Sequence, residues 1–430
     1  MKKTRFLLAS EPQDGMVKVK NLLYASVIEL DEEAANWLMN GEIDRFNQEE
    51  KELLFEHKFL ISDETDENEV FTSHYHKAWE ELDVLLLHLV PTTGCQLKCV
   101  YCYEDGIVAK TVNKDTTTAI SDWISLYLQN NKVSTLRIVW HGGEPLLCSK
   151  QIEQMMPVIK AIADEAGVTL ETQIVTNGLF LFDEVASVLA KFNLQRVQVT
   201  LDGPPDIHER RRAPKDGSAG TFNQILANIT NILDKKYIEK VDLRINIDRE
   251  NIDRTEELLD ILVGTGIQNQ LYLSIGIVTN TLPGEDCSTG STGHFQEFGF
   301  SEEQAIQGYI RVARAAKARG LRIPEEFVIG PWCVARHPHA WTIGPDGEIY
   351  KCLSTVGRED GIVGMLPEVP KDCGTEAHTM NRIQSCFVKE CPVLPLCGGG
   401  CIFDEKVNGQ TCPWQLLETI NRELLALNNK

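Results

Sequence analysis

Positive charge is scarce in this chain: 42 lysines and arginines stand against 63 aspartates and glutamates, a net charge of -21 over 430 residues. No basic stripe offsets that excess, and the ERRR at 209–212 is too short to act as one, so the composition argues against a nucleic-acid partner. Long apolar runs are missing as well. None approaches the ~20 residues of a membrane span, and the opening MKKTRFLLASEPQDG has too short an apolar stretch for a secretory signal. A cytoplasmic location without a membrane partner is therefore expected. What the chain has in quantity is cysteine, thirteen in all and mostly clustered. In a reducing compartment such clusters point to metal rather than to disulfides.

Between residues 84 and 278, β-rich runs alternate with amphipathic stretches. The runs are VLLLHLV, LRIVW, LETQIV, RVQVTL, VDLRINI and LYLSIGIV; helical patterns such as IEQMMPVIKAIADEAG and TFNQILANITNILDKK lie between them. This rhythm predicts an α/β fold of parallel strands with crossover helices, closed or partly closed into a barrel, with strands made nearly all apolar by burial on both faces. Chemistry in such a fold gathers at the C-terminal ends of the strands. Each run leads there into polar, glycine or cysteine residues: PTTGCQLKCVYC, HGGEP, TNG, DGPPDIHERRR, and Arg244 and Asn246 within the fifth run.

Cys95, Cys99 and Cys102 have CxxxCxxC spacing in one loop, so three thiolates can converge on one cluster and leave one iron of a 4Fe-4S cube unclaimed. A zinc site would want a fourth ligand, and the nearest preceding histidine, His88, reads as a packed core residue. With Tyr101 before the last cysteine, and with GGEP after the second run, residues 84–280 resemble the core of a radical S-adenosylmethionine (radical SAM) enzyme. The resemblance implies a partial (β/α)6 barrel and a cluster whose free iron is chelated by SAM. It further implies that Gly142, Gly143, Glu144 and Pro145 hold the methionine amine. Thr176, Asn177, Thr200, Asp202 and Arg244 then match positions for ribose and carboxylate contacts. Reductive cleavage of SAM would give a 5′-deoxyadenosyl radical, which needs a dry, enclosed site.

The tail holds a second field of cysteines. CPVLPLCGGGC gives Cx5Cx3C with glycines that let backbone wrap closely, and GPDGEIYKC reads as a hairpin ending on Cys352. This region resembles the SPASM extension of radical SAM peptide-modifying enzymes. The resemblance implies a first auxiliary 4Fe-4S cluster on Cys333, Cys352 and Cys401, a second on Cys386, Cys391, Cys397 and Cys412, and so three clusters in the protein. Cys386 precedes Cys391 by more than the family's usual spacing, and the first site lacks an obvious fourth thiolate; either Cys373 supplies it or the site is open. Cys148 and Cys287 read as ordinary packed or loop residues.

The front end has its own pattern: MVKVKN and LYASVIEL as strands, DEEAANWLMNG as a capped helix, NQEEKELLFEHKFLI as a helix running into a strand, and SDETDENE as an acidic linker. Such a unit is winged-helix-like and resembles the leader-binding front ends of enzymes that modify ribosomally made peptides, where a leader adds to an exposed strand edge. A stabilising cap on the barrel is the other reading. The expected organisation is 1–75 as the winged-helix-like unit, 76–285 as the radical SAM partial barrel, 286–332 as a bridging helical region and 333–430 as the SPASM extension.

The function expected from this is an oxidoreductase, a maturase that installs a carbon-carbon or thioether cross-link in a precursor peptide with a leader. A flavodoxin- or ferredoxin-type donor would supply the electrons. Two auxiliary clusters suit a reaction that must return a second electron, which favours cross-linking over epimerisation. One alternative is an anaerobic sulfatase-maturating enzyme; that family places a carboxylate after the cysteine equivalent to Cys352, where this chain has Leu353. Another is a non-catalytic iron-sulfur electron carrier, for which GGEP and TNG would have no purpose.

Overall fold

In the computed structural model of the chain the described residues are 1–81, 83–279, 295–329, 333–368, 370, 375–401 and 412–428. The front end begins with β1 (Lys2–Lys3), β2 (Leu7–Ala9), β3 (Met16–Asn21) and β4 (Val27–Asp31), and β2-β3-β4 form an antiparallel sheet with β4 at an open edge. LYASVIEL is strand only from Val27 onward. Before it the chain turns: the Leu23 and Tyr24 N–H groups donate to Asn21 Oδ1, and Ala25 takes a φ of 57°. Helix α1 (Glu32–Asn40) starts on Asp31, whose side chain accepts from the Ala34 N–H, and stops on left-handed Gly41. Helix α2 (Gln48–Glu56) carries a capping box between Asn47 and Glu50 and leads to β5 (Leu60–Ile61), which pairs with β1. The acidic linker is not all linker. Asp66 caps α3 (Glu67–Glu80), so the second half of SDETDENE is a helix start, where carboxylates favour the positive end of the dipole.

The main sheet then assembles in chain order from β6 (Val84–Leu89), β8 (Thr135–Trp140), β9 (Thr169–Thr176), β10 (Leu194–Thr200), β12 (Val241–Ile247) and β13 (Leu271–Ile277), all parallel. Two short strands outside it, β7 (Leu97–Cys99) and β11 (Arg212–Pro214), pair with each other. The crossovers are α4 (Lys114–Asn130), α5 (Ser149–Ala166), α6 (Asp183–Ala190), α7 (Pro205–Arg211) with α8 (Thr221–Asp234), and α9 (Thr255–Gly264). Leu136, Ile138, Ile174, Leu243, Ile245, Leu271 and Leu273 are buried against these helices in one continuous core.

The strands are not apolar on both faces. On β12, buried Leu243 and Ile245 alternate with half-buried Asp242, Arg244 and Asn246, and on β9 buried Leu170, Thr172 and Ile174 alternate with half-buried Glu171 and Gln173. The concave face is therefore polar and crossed by ion pairs, Arg137 to Glu171 at 2.7 Å and Arg196 to Asp242.

After β13 come α10 (Phe295–Phe298) and α11 (Glu302–Ala318); α11 packs on the same core as the crossover helices. Strand β14 (Ala340–Ile343) joins the free edge of β6 in parallel, and β15 (Glu348–Tyr350) and β16 (Ile362–Met365) extend the sheet antiparallel to nine strands. The hairpin read from GPDGEIYKC is thus part of the barrel's own sheet. Helices α12 (Thr375–Val388), α13 (Leu394–Cys397) and α14 (Trp414–Leu427) complete the tail. Phe6, Leu8, Phe71, Tyr75 and Trp79 of the front end share a core with Ile383, Phe387, Leu394 and Leu417 of these helices. Among the described residues no helix is long and apolar enough to cross a membrane.

Candidate active site

The loop that follows β6 and the loop that follows β8 interlock through backbone. Gly143 N–H donates to Thr92 O at 3.1 Å and Glu144 N–H to Gly94 O at 2.9 Å. Both glycines are required by the closeness of that approach: a Cβ on Gly142 (φ 119°) would lie 2.4 Å from Thr92 O, and one on Gly143 2.3 Å from Gly94 O. Pro145 opens the short helical turn that follows. The fully buried Glu144 carboxylate accepts from Leu146 N–H (3.0 Å), Thr176 Oγ1 (2.7 Å) and Asn177 N–H (2.7 Å), so it braces GGEP against TNG. Burial still pushes its pKa up, against those bonds. The Asn177 amide reaches the cysteine loop in turn, with Gln96 Nε2 donating to its Oδ1 at 3.2 Å and its Nδ2 lying 3.8 Å from Cys95 Sγ.

The cysteine loop is held from its other side by β7 and β11, with Cys99 opposite Arg212 and Leu97 opposite Pro214. Tyr101 donates its hydroxyl hydrogen to Asp202, and Arg212 Nη1 donates to Tyr101 Oη at 2.7 Å. Asp202 is fully buried and also accepts from Asn246 N–H at 2.8 Å. Arg244 lies alongside, donating to Asn246 Oδ1 and Ser274 Oγ at 3.0 Å each, and burial lowers its pKa. Thr200 is level with Arg244 in the β10–β12 register. The structure thus brings Tyr101, Asp202 and Arg244 to one corner of the mouth, and Gly142, Gly143, Glu144, Thr176 and Asn177 to another.

Burial pushes the Cys95 thiol up to about 11 and Cys102 to about 12; Cys99 adds to both, and Cys95 to Cys102, through like charge. Arg212 opposes this at Cys95 and Cys99. A positively charged iron centre bound at these buried thiols would displace their protons. Among the described residues no group of His, Cys, Asp and Glu converges on a single metal ion. A lone tetrahedral ion needs sulfurs within about 4 Å of one another, from bonds of ~2.3 Å, whereas a cube binds each thiolate on a separate iron. His88 is buried, its pKa lowered by burial to about 4, in keeping with a packed neutral imidazole.

In the tail, Cys386, Cys391, Cys397 and Cys412 lie within one another's electrostatic reach. Burial pushes Cys391 up to about 12 with added repulsion from the other three, and Cys397 to about 11 with repulsion from Cys386 and Cys412. Cys333 lies near Tyr75 of α3, and Cys352 near Tyr103 beside the first cysteine loop. Cys401 ends the glycine run that starts after Cys397. Cys148 is a buried residue whose thiol faces Pro91 O at 3.7 Å. Cys287 and Cys373 lie outside the described residues.

Sequence reading missed Arg211, Arg212, Asp248 and Asn251. Arg211 is fully buried in an ion pair with Asp248 and reaches Glu250 at 3.2 Å, and Asn251 Nδ2 donates to Asp202 O at 2.8 Å. Asp248 carried a signal, one residue beyond the end of β12, whereas Arg211 and Arg212 lie in α7 and at the start of β11.

Residues 89–262, the segment that carries both signatures, match the Radical SAM superfamily. The chain is 23% identical over 338 residues to the serine-type anaerobic sulfatase-maturating enzyme of Klebsiella aerogenes, covering 72% of this chain and 77% of that protein. It is 28% identical over 171 residues to the Fe-coproporphyrin III synthase of Methanosarcina barkeri, 40% of this chain and only 39% of that protein's length. The fold is similar to the solved structure of native anSMEcpe with bound AdoMet and Kp18Cys peptide, with a TM-score of 0.60 at 15% identity, over 80% of this chain and 96% of that one.

Proposed function

We propose that the protein is a radical SAM maturase that installs a carbon-carbon or thioether cross-link in a ribosomally made precursor peptide. The observation that carries the radical SAM part is the interlock of the cysteine loop with GGEP and TNG at one mouth of the sheet. Cys95, Cys99 and Cys102 would hold a 4Fe-4S cluster. The backbone of Gly142 and Gly143 would hold the methionine amine of SAM, with Glu144 and Pro145 fixing that loop. When bound, the cluster supplies the one electron that splits SAM into methionine and a 5′-deoxyadenosyl radical. Tyr101, Asp202 and Arg244, with Thr200 level with Arg244, would line the nucleoside side. The radical formed needs a site from which bulk water is kept away.

In the tail, Cys386, Cys391, Cys397 and Cys412 would hold one auxiliary cluster and Cys333, Cys352 and Cys401 another, which together can take up the second electron of an oxidation. The open edge of β4 supports leader binding by strand addition. The likeness to sulfatase-maturating enzymes favours a second reading, oxidation of a Cys or Ser side chain to formylglycine, although Leu353 stands where that family has its base.

The test is anaerobic reconstitution with SAM, dithionite and the precursor peptide. Wild type is expected to form 5′-deoxyadenosine and a peptide lighter by two hydrogens that does not react with a hydrazide. The C95A/C99A/C102A variant should lose about four irons and all SAM cleavage. A hydrazide-reactive product would favour formylglycine formation instead, and 5′-deoxyadenosine from the triple variant would overturn the central assignment.

A further inference from the structure

Gly398, Gly399 and Gly400 separate Cys397 from Cys401, and all three sit at positive φ, 59°, 91° and 91°. A run in that region cannot pair its carbonyls in a helix or sheet, so they need other partners. Two buried arginines supply them. Arg336 donates from Nη1 to Gly398 O and from Nη2 to Gly400 O. Arg382 donates from Nε to Gly399 O at 2.5 Å and from Nη1 to Cys401 O at 3.5 Å. Four successive carbonyls are thus taken by two planar forks, whose geometry is fixed in a way an ammonium cannot match.

The two forks come from different parts of the tail. Arg336 follows Cys333 in the short helical turn Val334–Arg336, while Arg382 and Cys386 share one face of α12. Both arginines are 7% exposed, and a Cβ on Gly400 would lie 2.5 Å from Arg382 Nη2, so a glycine is needed there for the fork as well as for the backbone. Arg336 stands three residues after Cys333 and Arg382 four residues before Cys386, so both guanidiniums tie cysteine-bearing segments to the 398–401 backbone.

We propose that Arg336 and Arg382 are positioning residues for the iron-sulfur sites of the tail. Their forks hold the 397–401 segment in the shape that presents its cysteines, and their two charges, held against that segment, raise the reduction potential of a cluster bound there. The inference rests on the cluster assignment proposed above. Its physical basis is that a reduced cluster carries one more negative charge than an oxidised one, so fixed positive charge and hydrogen bonding nearby favour reduction.

The experiment uses the full-length chain carrying C95A/C99A/C102A, so that only tail clusters contribute, with R336Q, R382Q, R336K and R382K made in that background. Iron content, loss of iron to a chelator and an EPR-monitored redox titration are read for each. The glutamine variants are expected to shift the oxidised-to-reduced ratio at fixed ambient potential at least tenfold toward oxidised, about 59 mV for one electron. The lysine variants keep the charge but not the fork; they should keep the wild-type ratio and lose iron several-fold faster. An unmoved ratio in iron-replete glutamine variants overturns the proposal, as does a lysine variant that shifts as far as glutamine. Where a glutamine variant holds no iron, a lysine variant whose ratio moves tenfold toward oxidised overturns the proposal, and one that keeps the wild-type ratio while losing iron faster supports it. A parent that carries no iron before any arginine is changed instead overturns the cluster assignment itself.

Discussion

Asp248 acts on the cysteine loop without touching it. Its carboxylate and the Arg211 guanidinium are both fully buried, and the Arg211 carbonyl accepts the Val100 N–H at 3.0 Å, inside CQLKCVYC. Burial pushes Asp248 upward and the Arg211 charge only partly offsets this, as expected of a pair that is costly to break by halves. D248N is accordingly expected to destabilise the protein by about 3–5 kcal/mol in urea unfolding, and to shed iron from the first cysteine loop before the tail does. Equal stability would mean that the pair does not anchor the loop. That the Cys95–Cys102 loop and GGEP come together was legible because spacing marks both loops at the ends of neighbouring strands. Arg211 and Arg212 were not, since counted as surface charge they form only a short basic run, and their burial depends on Asp248 and Tyr101 from distant segments.

At the scale of elements, the strand runs and helix caps were read nearly to their ends: MVKVKN is β3, VDLRINI is β12, and the helix in DEEAANWLMNG runs from Asp31 to Gly41 as its caps dictate. What periodicity hid was the concave face, where Arg137, Glu171, Arg196 and Asp242 satisfy one another across neighbouring strands. A hydropathy pattern registers which residues face the helices, but not what pairs in a lumen. β4 offers the sharpest test of an element's role. In an antiparallel ladder successive residues direct their N–H groups to opposite sides, so proline at Ile28 and proline at Glu29 remove donors from different edges. The variant that loses only an outward donor should keep its Tm and bind a fluorescent leader at least tenfold more weakly. Wild-type affinity in both would favour the front end as a cap.

For the whole molecule, the front end is fastened to the tail: Phe71 stands edge-on to Phe387 with ring centroids 5.9 Å apart, within a core that also includes Cys391 and Cys397. The barrel core is separate and is built largely from its own strands and helices. Deleting residues 1–75 is therefore expected to leave SAM cleavage in place while exposing Ile383 and Phe387 and loosening iron bound at Cys386, Cys391, Cys397 and Cys412. Iron analysis of the deletion after gel filtration measures this, and full retention of tail iron would mean that the shared core is dispensable. Sequence reading placed front and tail at opposite ends of a linear order, because contacts between residues so distant leave no local pattern.

The pairing of β14 with β6 sets Ala340 beside Leu86 and Ile343 beside Leu89. In evolutionary terms this leaves length free to vary outside α11, which is itself packed on the barrel core. Insertions between the barrel and the hairpin cost only closure entropy, about 0.6 kcal/mol for each doubling of loop length. The hairpin that delivers Cys352 stays locked to the strand that delivers Cys95, so such insertions leave the spacing between the two cysteine-bearing loops intact.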